Sequence, residues 1–477
     1  MGLVTRQGKG SKLTVQEMDG NLEYLRGSYK LTTDSSIDWS EASMQEFNVT
    51  GDVNFDFVGA VTGQELTLLL NQSSGNIGWT SSVKWVNDVV PVITNGDVRL
   101  DTSFVTGTGF NSTVYPVVLQ SDGKILVGGG FTEYNGQSVG YIVRLNLDGS
   151  LDTTFLTGTG FNGAIRSITL QSDGKILVGG WFTEYNGISV GYIARLNTDG
   201  SLDTTFVTGS GFNSYVFPMT LQSDGKVLVG GSFTEYDGVS VGYMTRLNSD
   251  GSLDTSFVAG FNSYIFTMTL QSDGKVLVGG AFDSYDGQSI GHIARLNSNG
   301  SLDTTFVTGT GFNYDVRSIV LQSDVKVLVG GVFDQYDGQS IGYIVRLNSN
   351  GSLDTTFDTE FGFNNAVFKI TLQSDGKILV GGGFDSYDGQ SAGYITRLNS
   401  DGSLDTTFNT GDGFNYGVYS ITLQSDGKIL VGGEFNQYNG VSVARIARLS
   451  QLPTYKVVKF YYNGVNYIGE SINQVII

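Results

Sequence analysis

The sequence LQSDGKILVGG occupies residues 119–129 and returns with few changes six more times along the chain. Its copies follow one another at intervals of about fifty residues, from residue 98 to residue 450. A fixed period of this length indicates a solenoid, a propeller or an array, and the content of one period decides among the three. The motif begins at Leu119, Leu170, Leu221, Leu270, Leu321, Leu372 and Leu423.

One period contains four short runs of apolar, β-branched and aromatic residues. In the first period they read TVYPVVLQ, KILVGGGF, YIVRLN and LDTTF, and none has the 3.6-residue spacing of a helix. The pairs Asp122-Gly123 and Asp148-Gly149 supply the positive φ angles that tight hairpin turns require. The period therefore predicts one blade of four antiparallel strands, which we name A, B, C and D in chain order.

The two ends of the repeat region indicate how the blades are arranged. The strand-D motif LDT[ST]F stands at residues 100–104, before the first long motif, and is missing after the seventh. The early copy can complete the seventh blade and close a ring without a free sheet edge. We predict an all-β fold: a seven-bladed β-propeller of four-stranded blades over residues 98–450, closed by an N-terminal strand.

The wording of the repeat, LNxDGSLDTTF with LQSDGKILVGG, resembles the delta-sixty type of β-propeller repeat. The resemblance covers all seven copies. It implies the propeller fold and no particular chemistry, because one fold can carry many functions.

The segments outside the repeats predict an attachment helix and a small β-domain. Residues 1–27 contain one amphipathic helix with a capping box at Thr14 and Glu17. Its apolar stripe, which we assign to oligomer or virion attachment, with packing on the neighbouring domain as the alternative, is Val15, Met18, Leu22 and Leu25. Residues 28–97 predict several strands, and residues 451–477 predict a hairpin, so we expect a small β-domain outside the propeller.

These flanking segments also resemble a known class of proteins. MGLVTRQGKG and the following LT..EMDGNLEYL resemble the start of bacteriophage virion proteins of the tail-fibre and adhesin kind. LTLLLNQSSGNIGWTSSVKW and YKVVKFYYNGVNYIG resemble the small β-domain of those proteins, where the two segments are almost contiguous. About 350 residues separate them here, so the resemblance implies that the propeller is inserted into this β-sandwich-like domain, whose two parts are residues 28–97 and 451–477.

The resemblance implies a virion structural protein of the tail-fibre or head-fibre type. Such a protein is displayed on the particle, contacts other virion proteins, and adheres to a host surface receptor, either a glycan or a protein. The resemblance also implies a homo-oligomer, with a trimer favoured. Two alternatives remain: a passive decoration or spacer that contacts only virion neighbours and, least favoured, a glycan-degrading enzyme.

The composition excludes several classes of function. The chain has 46 acidic and 27 basic side chains, for a net charge of -19, and no cluster of basic residues, so we do not expect nucleic acid as a partner. It has no cysteine and one histidine, His292, which excludes thiolate and histidine-rich metal sites. No apolar run approaches about 18 residues, so we expect no membrane insertion. We predict no metal site and no cofactor.

Each recurring acid has a structural interpretation. Asp122 and its equivalents are turn residues, and Asp152 and its equivalents accompany a strand-C arginine such as Arg144, which favours a ladder of structural ion pairs. A catalytic acid and base need unlike environments, whereas copies of a repeated pair have like ones. Asp358 and Glu360 form a pair that does not recur in the other copies, and we interpret them as acidic residues of an exposed loop. The sequence predicts no catalytic residue and a protein that is not an enzyme.

Ligand binding is predicted where the connections between strands are long. The B-to-C and D-to-A connections differ among the copies, whereas the A-to-B and C-to-D turns are short and nearly invariant. Aromatic side chains mixed with cations suit contact with a carbohydrate or a protein, and ordinary drift between duplicated blades is the alternative. Because the propeller is acidic, we expect a neutral or cationic ligand. The candidates are Trp181, Tyr215, Tyr264, Tyr314, Tyr416, Arg166, Arg317 and Lys369.

Overall fold

The computed structural model describes the propeller throughout and parts of the flanking segments. Residue contacts divide the chain into two units, Met1–Asp97 with Leu452–Ile477, and Val98–Gln451. The second unit is described completely and the first only in nine strands. The predicted helix and its residues Val15, Met18, Leu22 and Leu25 lie outside the described residues. The described residues form strands and turns, and they include no helix that could cross a membrane.

Segments from both sides of the propeller share one sheet of the flanking unit. Glu65–Ser74 pairs antiparallel with Lys456–Tyr462, which forms a hairpin with Tyr467–Ile472. The other strand pairs of this unit are parallel. The chain therefore leaves this sheet before the propeller and returns to it afterwards. The remaining strands are Lys30–Leu31, Met44–Thr50 and Val83–Trp85 in the same sheet, and Ser35–Asp38, Val53–Val58 and Ile77–Trp79 in a second sheet.

Each repeat of the second unit forms one blade with three regular strands. Strand A is Val114–Leu119, Ile165–Leu170, Val216–Leu221, Ile265–Leu270, Val316–Leu321, Val367–Leu372 or Val418–Leu423. Strand B is Ile125–Gly129, Ile176–Gly180, Val227–Gly231, Val276–Gly280, Val327–Gly331, Ile378–Gly382 or Ile429–Gly433. Strand C is Ile142–Leu145, Ile193–Leu196, Met244–Leu247, Ile293–Leu296, Ile344–Leu347, Ile395–Leu398 or Ile446–Gln451.

A small hairpin interrupts each B-to-C connection. In the first blade its turn residues Asn135 and Gly136 have φ angles of 49° and 73°, as a two-residue hairpin turn requires. The sequence EYNGQS at residues 133–138 therefore forms a tight turn. The paired segments are Glu133–Tyr134 with Gln137–Ser138, Glu184–Tyr185 with Ile188–Ser189, Glu235–Tyr236 with Val239–Ser240, Ser284–Tyr285 with Gln288–Ser289, Gln335–Tyr336 with Gln339–Ser340, Ser386–Tyr387 with Gln390–Ser391, and Gln437–Tyr438 with Val441–Ser442.

Strand D is short, and in the seventh blade it comes from the start of the unit. In six blades it consists of one bridging residue, such as Leu151 opposite Leu145. It ends there because the next residue, Asp152, accepts hydrogen bonds from Thr154 and turns the chain. In the seventh blade, strand C instead pairs antiparallel with Val98–Leu100. The predicted closure of the ring is confirmed.

The two glycines at the end of strand B allow neighbouring strands to approach closely. A Cβ atom on Gly179 would lie 2.5 Å from Val216 in the next blade, and one on Gly180 would lie 2.2 Å from the carbonyl oxygen of Ala164. The five residues of strand B are buried in every blade. The most repeated letters of the sequence are therefore scaffold.

A buried ion-pair network recurs in all seven blades and joins each blade to the next. In the second blade Asp203 accepts hydrogen bonds from Arg195 Nε at 2.6 Å and from Lys175 Nζ at 2.9 Å. Arg195 also donates to the carbonyl oxygen of Ser249 in the third blade. The predicted ladder is present. Its pairs are Arg144–Asp152, Arg195–Asp203, Arg246–Asp254, Arg295–Asp303, Arg346–Asp354, Arg397–Asp405 and Arg448–Asp101.

The carboxylates of this network have strongly shifted pKa values. Burial raises the pKa of Asp405, but hydrogen bonds from Lys377 and Thr407 and the charge of Arg397 outweigh burial and lower this pKa to about 2. The same balance holds the pKa of Asp203 well below its usual range. These carboxylates therefore stay ionised and paired, as structural groups do.

One A-to-B turn departs from the repeat in sequence but not in conformation. The fifth blade has Val325 where the first has Gly123, and both have positive φ angles, 62° and 85°. A β-branched residue in this region is strained, whereas glycine is not.

Replacing Val325 by glycine is expected to raise the free energy of unfolding by about 1 kcal/mol, because it relieves this strain. Gly123→Val is the matched reverse change and should cost a similar amount, since a Cβ atom there meets nothing within 4 Å. Urea unfolding followed by circular dichroism measures both. A loss of stability in Val325→Gly would contradict the strain.

Candidate functional site

The strand register separates the two ends of each blade. Ile125, the first residue of strand B, lies opposite Leu119 of strand A and Leu145 of strand C. The A-to-B and C-to-D turns therefore lie at one end of the blade. The start of strand A, the end of strand B and the start of strand C lie at the other, which we call the loop end.

The seven A strands surround a central channel with a volume of about 730 Å³. The second residue of every strand A lines it, and these seven residues form a ring that we call the collar. Five of the collar's seven neighbouring pairs are in contact through rings or through an arginine over a ring. The collar is Tyr115, Arg166, Phe217, Phe266, Arg317, Phe368 and Tyr419.

Three of the predicted ligand residues come together beside the collar in the second and third blades. The guanidinium carbon of Arg166 lies 3.9 Å from the ring centroid of Tyr115 and 5.2 Å from that of Trp181. The rings of Trp181 and Tyr215 are 5.3 Å apart, and Tyr192 packs on Tyr215 at 5.8 Å. Trp181 and Tyr215 are each 42% exposed. Together these residues form a continuous surface of flat rings with one cation, which we call the aromatic arc.

The other tyrosine candidates are more dispersed. Tyr264 contacts Tyr243 and the collar residue Phe266. Tyr314 and Tyr416 are exposed at the loop end, 60% and 55% respectively, and no ring contact joins them to the collar within the described propeller. The structure therefore connects Tyr264 with the channel mouth and leaves Tyr314 and Tyr416 as isolated exposed rings.

The remaining candidates, Arg317 and Lys369, line the channel itself. Arg317 lies 3.8 Å above the ring of Phe266 and forms an ion pair of 2.7 Å with Asp315. Lys369 follows the collar residue Phe368 and has no ion pair among the described residues. Burial lowers the pKa of the Lys369 ammonium group.

Sequence reasoning missed most of the collar. It selected Arg166 and Arg317 but not the rings at the same position of the other blades. The signal was present, because the second residue of strand A reads Tyr, Arg, Phe, Phe, Arg, Phe and Tyr from blade to blade. An aromatic or cationic residue at every copy of one position indicates a common environment.

His292 and Asp358 have local structural contacts. His292 has a φ angle of 66°, like Tyr192, and its Nδ1 lies 3.3 Å from the carbonyl oxygen of Gly280. Asp358 accepts a hydrogen bond from the backbone amide of Glu360, which is a turn contact. Neither residue lines the channel.

Several solved propellers are similar to the chain at low identity. They include the extracellular domain of a putative one-component system from B. thetaiotaomicron (17% identity, 71% of this chain, 38% of that chain, TM-score 0.43). They also include a virginiamycin B lyase from Staphylococcus aureus (17% identity, 74% of this chain, 100% of that chain, TM-score 0.44). A gluconolactonase from Xanthomonas campestris is a third example (14% identity, 76% of this chain, 91% of that chain, TM-score 0.35). The chain spans about two fifths of the first two solved proteins. Enzymes and other proteins both occur, so these likenesses indicate no activity.

Comparison with curated proteins found no match. One family model matches in all seven blades, at residues 120–155, 171–206, 222–257, 271–306, 322–357, 373–408 and 424–451. These ranges contain strands B and C with the turns beside them, and together they cover just over half of the sequence. The chain therefore belongs to the family described as "Domain of unknown function (DUF5122) beta-propeller".

Proposed function

We propose that the chain is a non-enzymatic structural protein of a bacteriophage particle whose propeller binds a receptor on the host surface. In this proposal the flanking segments attach the protein to other virion proteins, as a homo-oligomer with a trimer favoured, and the loop end of the propeller contacts the host. The resemblance of the flanking segments to tail-fibre and head-fibre proteins supports the location on the virion.

One observation carries the binding role: the aromatic arc. Trp181 and Tyr215 expose large flat rings that pack on each other, and Arg166 lies against the Trp181 ring instead of in an ion pair. Such rings offer apolar contact area at low cost in conformational entropy, and aromatic and arginine residues dominate binding energies at interfaces. The recurring aspartates pair in the network at the opposite end of the blades, which favours binding over acid–base catalysis.

The double variant Trp181→Ser, Tyr215→Ala tests the proposal. Purified full-length chain is expected to compete with the phage for adsorption to host cells, and the double variant should need about tenfold more protein for equal inhibition. Serine and alanine occur at these positions in sister blades, as Ser232 and Ala164, so the variant should fold.

Leu147→Ser is the matched control. Leu147 is 54% exposed in a C-to-D turn, at the end of the blade away from the loops, and most sister blades have serine or threonine there. The control should compete like the native chain. If native chain does not block adsorption but is incorporated into particles, the passive decoration role replaces adhesion. Release of reducing sugars from host polysaccharide would instead identify an enzyme.

A further inference from the structure

A few basic residues of the propeller, which we call the unrepeated cations, do not belong to the recurring ion-pair network. Residues 101–450 contain 33 acidic and 18 basic side chains. Seven lysines and seven arginines of the ion-pair network account for all but four of the basic ones. Three of those four, Arg166, Arg317 and Lys369, line the channel, and no aspartate or glutamate lines it. The channel is a cationic region inside an acidic ring.

These channel cations are incompletely satisfied within the described propeller. Arg166 and Lys369 have no ion pair there. Arg317 pairs with Asp315 through one terminal nitrogen of its guanidinium, but its buried Nε has no hydrogen-bond partner. Burial, together with the charge of Arg317, lowers the pKa of Arg166. Grouping like charges in a half-buried channel costs free energy unless an anion neutralises them. The channel therefore has the properties of a site whose anionic ligand comes from outside the chain.

We propose that the channel mouth binds the anionic group of an acidic sugar, a carboxylate or a phosphate. Arg317 and Lys369, from adjacent blades, donate to its oxygens, because guanidinium and ammonium groups form strong charge-assisted hydrogen bonds with such anions. The sugar ring packs on the aromatic arc beside the mouth. This inference rests on the proposed function for the assignment of the loop end as the receptor-binding surface.

The proposal replaces the neutral or cationic ligand expected from the net charge. Net charge sums over the whole surface, whereas a ligand in a channel responds mainly to the groups that line it. A volume of about 730 Å³ is sufficient for a sugar residue and its anionic group. Exposed rings at the mouth suit the apolar face of a sugar, as Trp181 and Tyr215 provide.

Calorimetric titration of the full-length chain tests the site. The probes are oligosaccharides of glucuronic acid, neutral glucose oligosaccharides of equal length, and glucose 6-phosphate. We expect an acidic probe to bind and the neutral one not to. Lys369→Ser and Arg317→Phe should each weaken binding by about tenfold, since each removes a charge-assisted hydrogen bond. Other blades have these replacement residues at the equivalent positions: Ser318 corresponds to Lys369, and Phe368 corresponds to Arg317.

The fourth unrepeated cation provides the control. Arg445→Tyr removes one positive charge outside the channel lining and restores the residue that most sister blades have, so affinity should not change. Binding of glucose 6-phosphate alone, lost in the channel variants, would support the site and identify phosphate as the anion. No binding of either acidic probe, or binding unchanged by both channel variants, would overturn it.

The two proposals fail in distinguishable ways. If the channel site is wrong, Lys369→Ser and Arg317→Phe block adsorption like the native chain, and no acidic probe binds. If the adhesion role is wrong, acidic probes bind but the native chain does not compete for adsorption.

Discussion

The variant Asp203→Ala is expected to lower the free energy of unfolding by about 3–5 kcal/mol, the usual effect of removing one partner from a buried ion pair. Asp203 is 5% exposed and accepts hydrogen bonds from Arg195, Lys175 and Thr205. Its removal leaves the guanidinium of Arg195 buried beside Phe206 without a counter-charge. Urea unfolding followed by circular dichroism measures the loss.

Asp199→Ala is the matched control in the same blade. Asp199 is an exposed turn residue whose carboxylate accepts hydrogen bonds from Ser201. Its replacement should leave the urea midpoint close to that of the native chain. If Asp203→Ala lowered the free energy of unfolding as little as Asp199→Ala does, the network would not hold the blades together. The LDT[ST]F motif would then need another explanation.

A disulfide between Cys substitutions at Arg99 and Ser450 should stabilise the propeller by about 5 kcal/mol, because it closes a loop of about 350 residues in the unfolded chain. The two residues lie opposite each other where strand C of the seventh blade pairs with the N-terminal strand. Opposed residues of antiparallel strands have Cα separations that a disulfide can span. The chain has no native cysteine to interfere.

A disulfide at the equivalent position of the first blade gives the comparison. Cys substitutions at Asn146 and Ser150 join strands C and D within one hairpin, where the backbone amide of Asn146 already donates to the carbonyl oxygen of Ser150. Because the closed loop is short, this disulfide should raise the free energy of unfolding by only about 2 kcal/mol. The difference in urea midpoint, abolished by reduction, measures closure of the ring. Equal effects of the two disulfides would contradict closure by Val98–Leu100.

The scaffold could be predicted because short sequence motifs specify its turns and strands. Asp-Gly turns, runs of β-branched residues and the displaced LDTSF motif predicted blades, turns and closure, and the Arg144–Asp152 ladder was expected from its repetition. The reduction of strand D to one residue was not expected. It depends on hydrogen bonds from Thr154 to Asp152, which turn the chain directly after Leu151.

The candidate site was only partly predictable. Variation at the start of strand A identified Arg166 and Arg317, and variation after strand B identified Trp181. It could not show that Trp181 packs on Tyr215 of the next blade, or that Tyr115 and Phe266 lie under the two arginines. Those contacts cross between blades, and no local pattern specifies the distance between them.

The number of blades, their turns and the closure of the ring follow from the amino-acid sequence alone, because each depends on residues that are neighbours along the chain or copies of one motif. That Arg166, Arg317 and Lys369 line one channel, with no aspartate or glutamate in its lining, follows from the three-dimensional structure and from no local pattern. Closure of the ring brings together strands that lie far apart in the sequence. The net charge indicates an acidic protein, whereas the folded ring brings three of its four unrepeated cations into one channel.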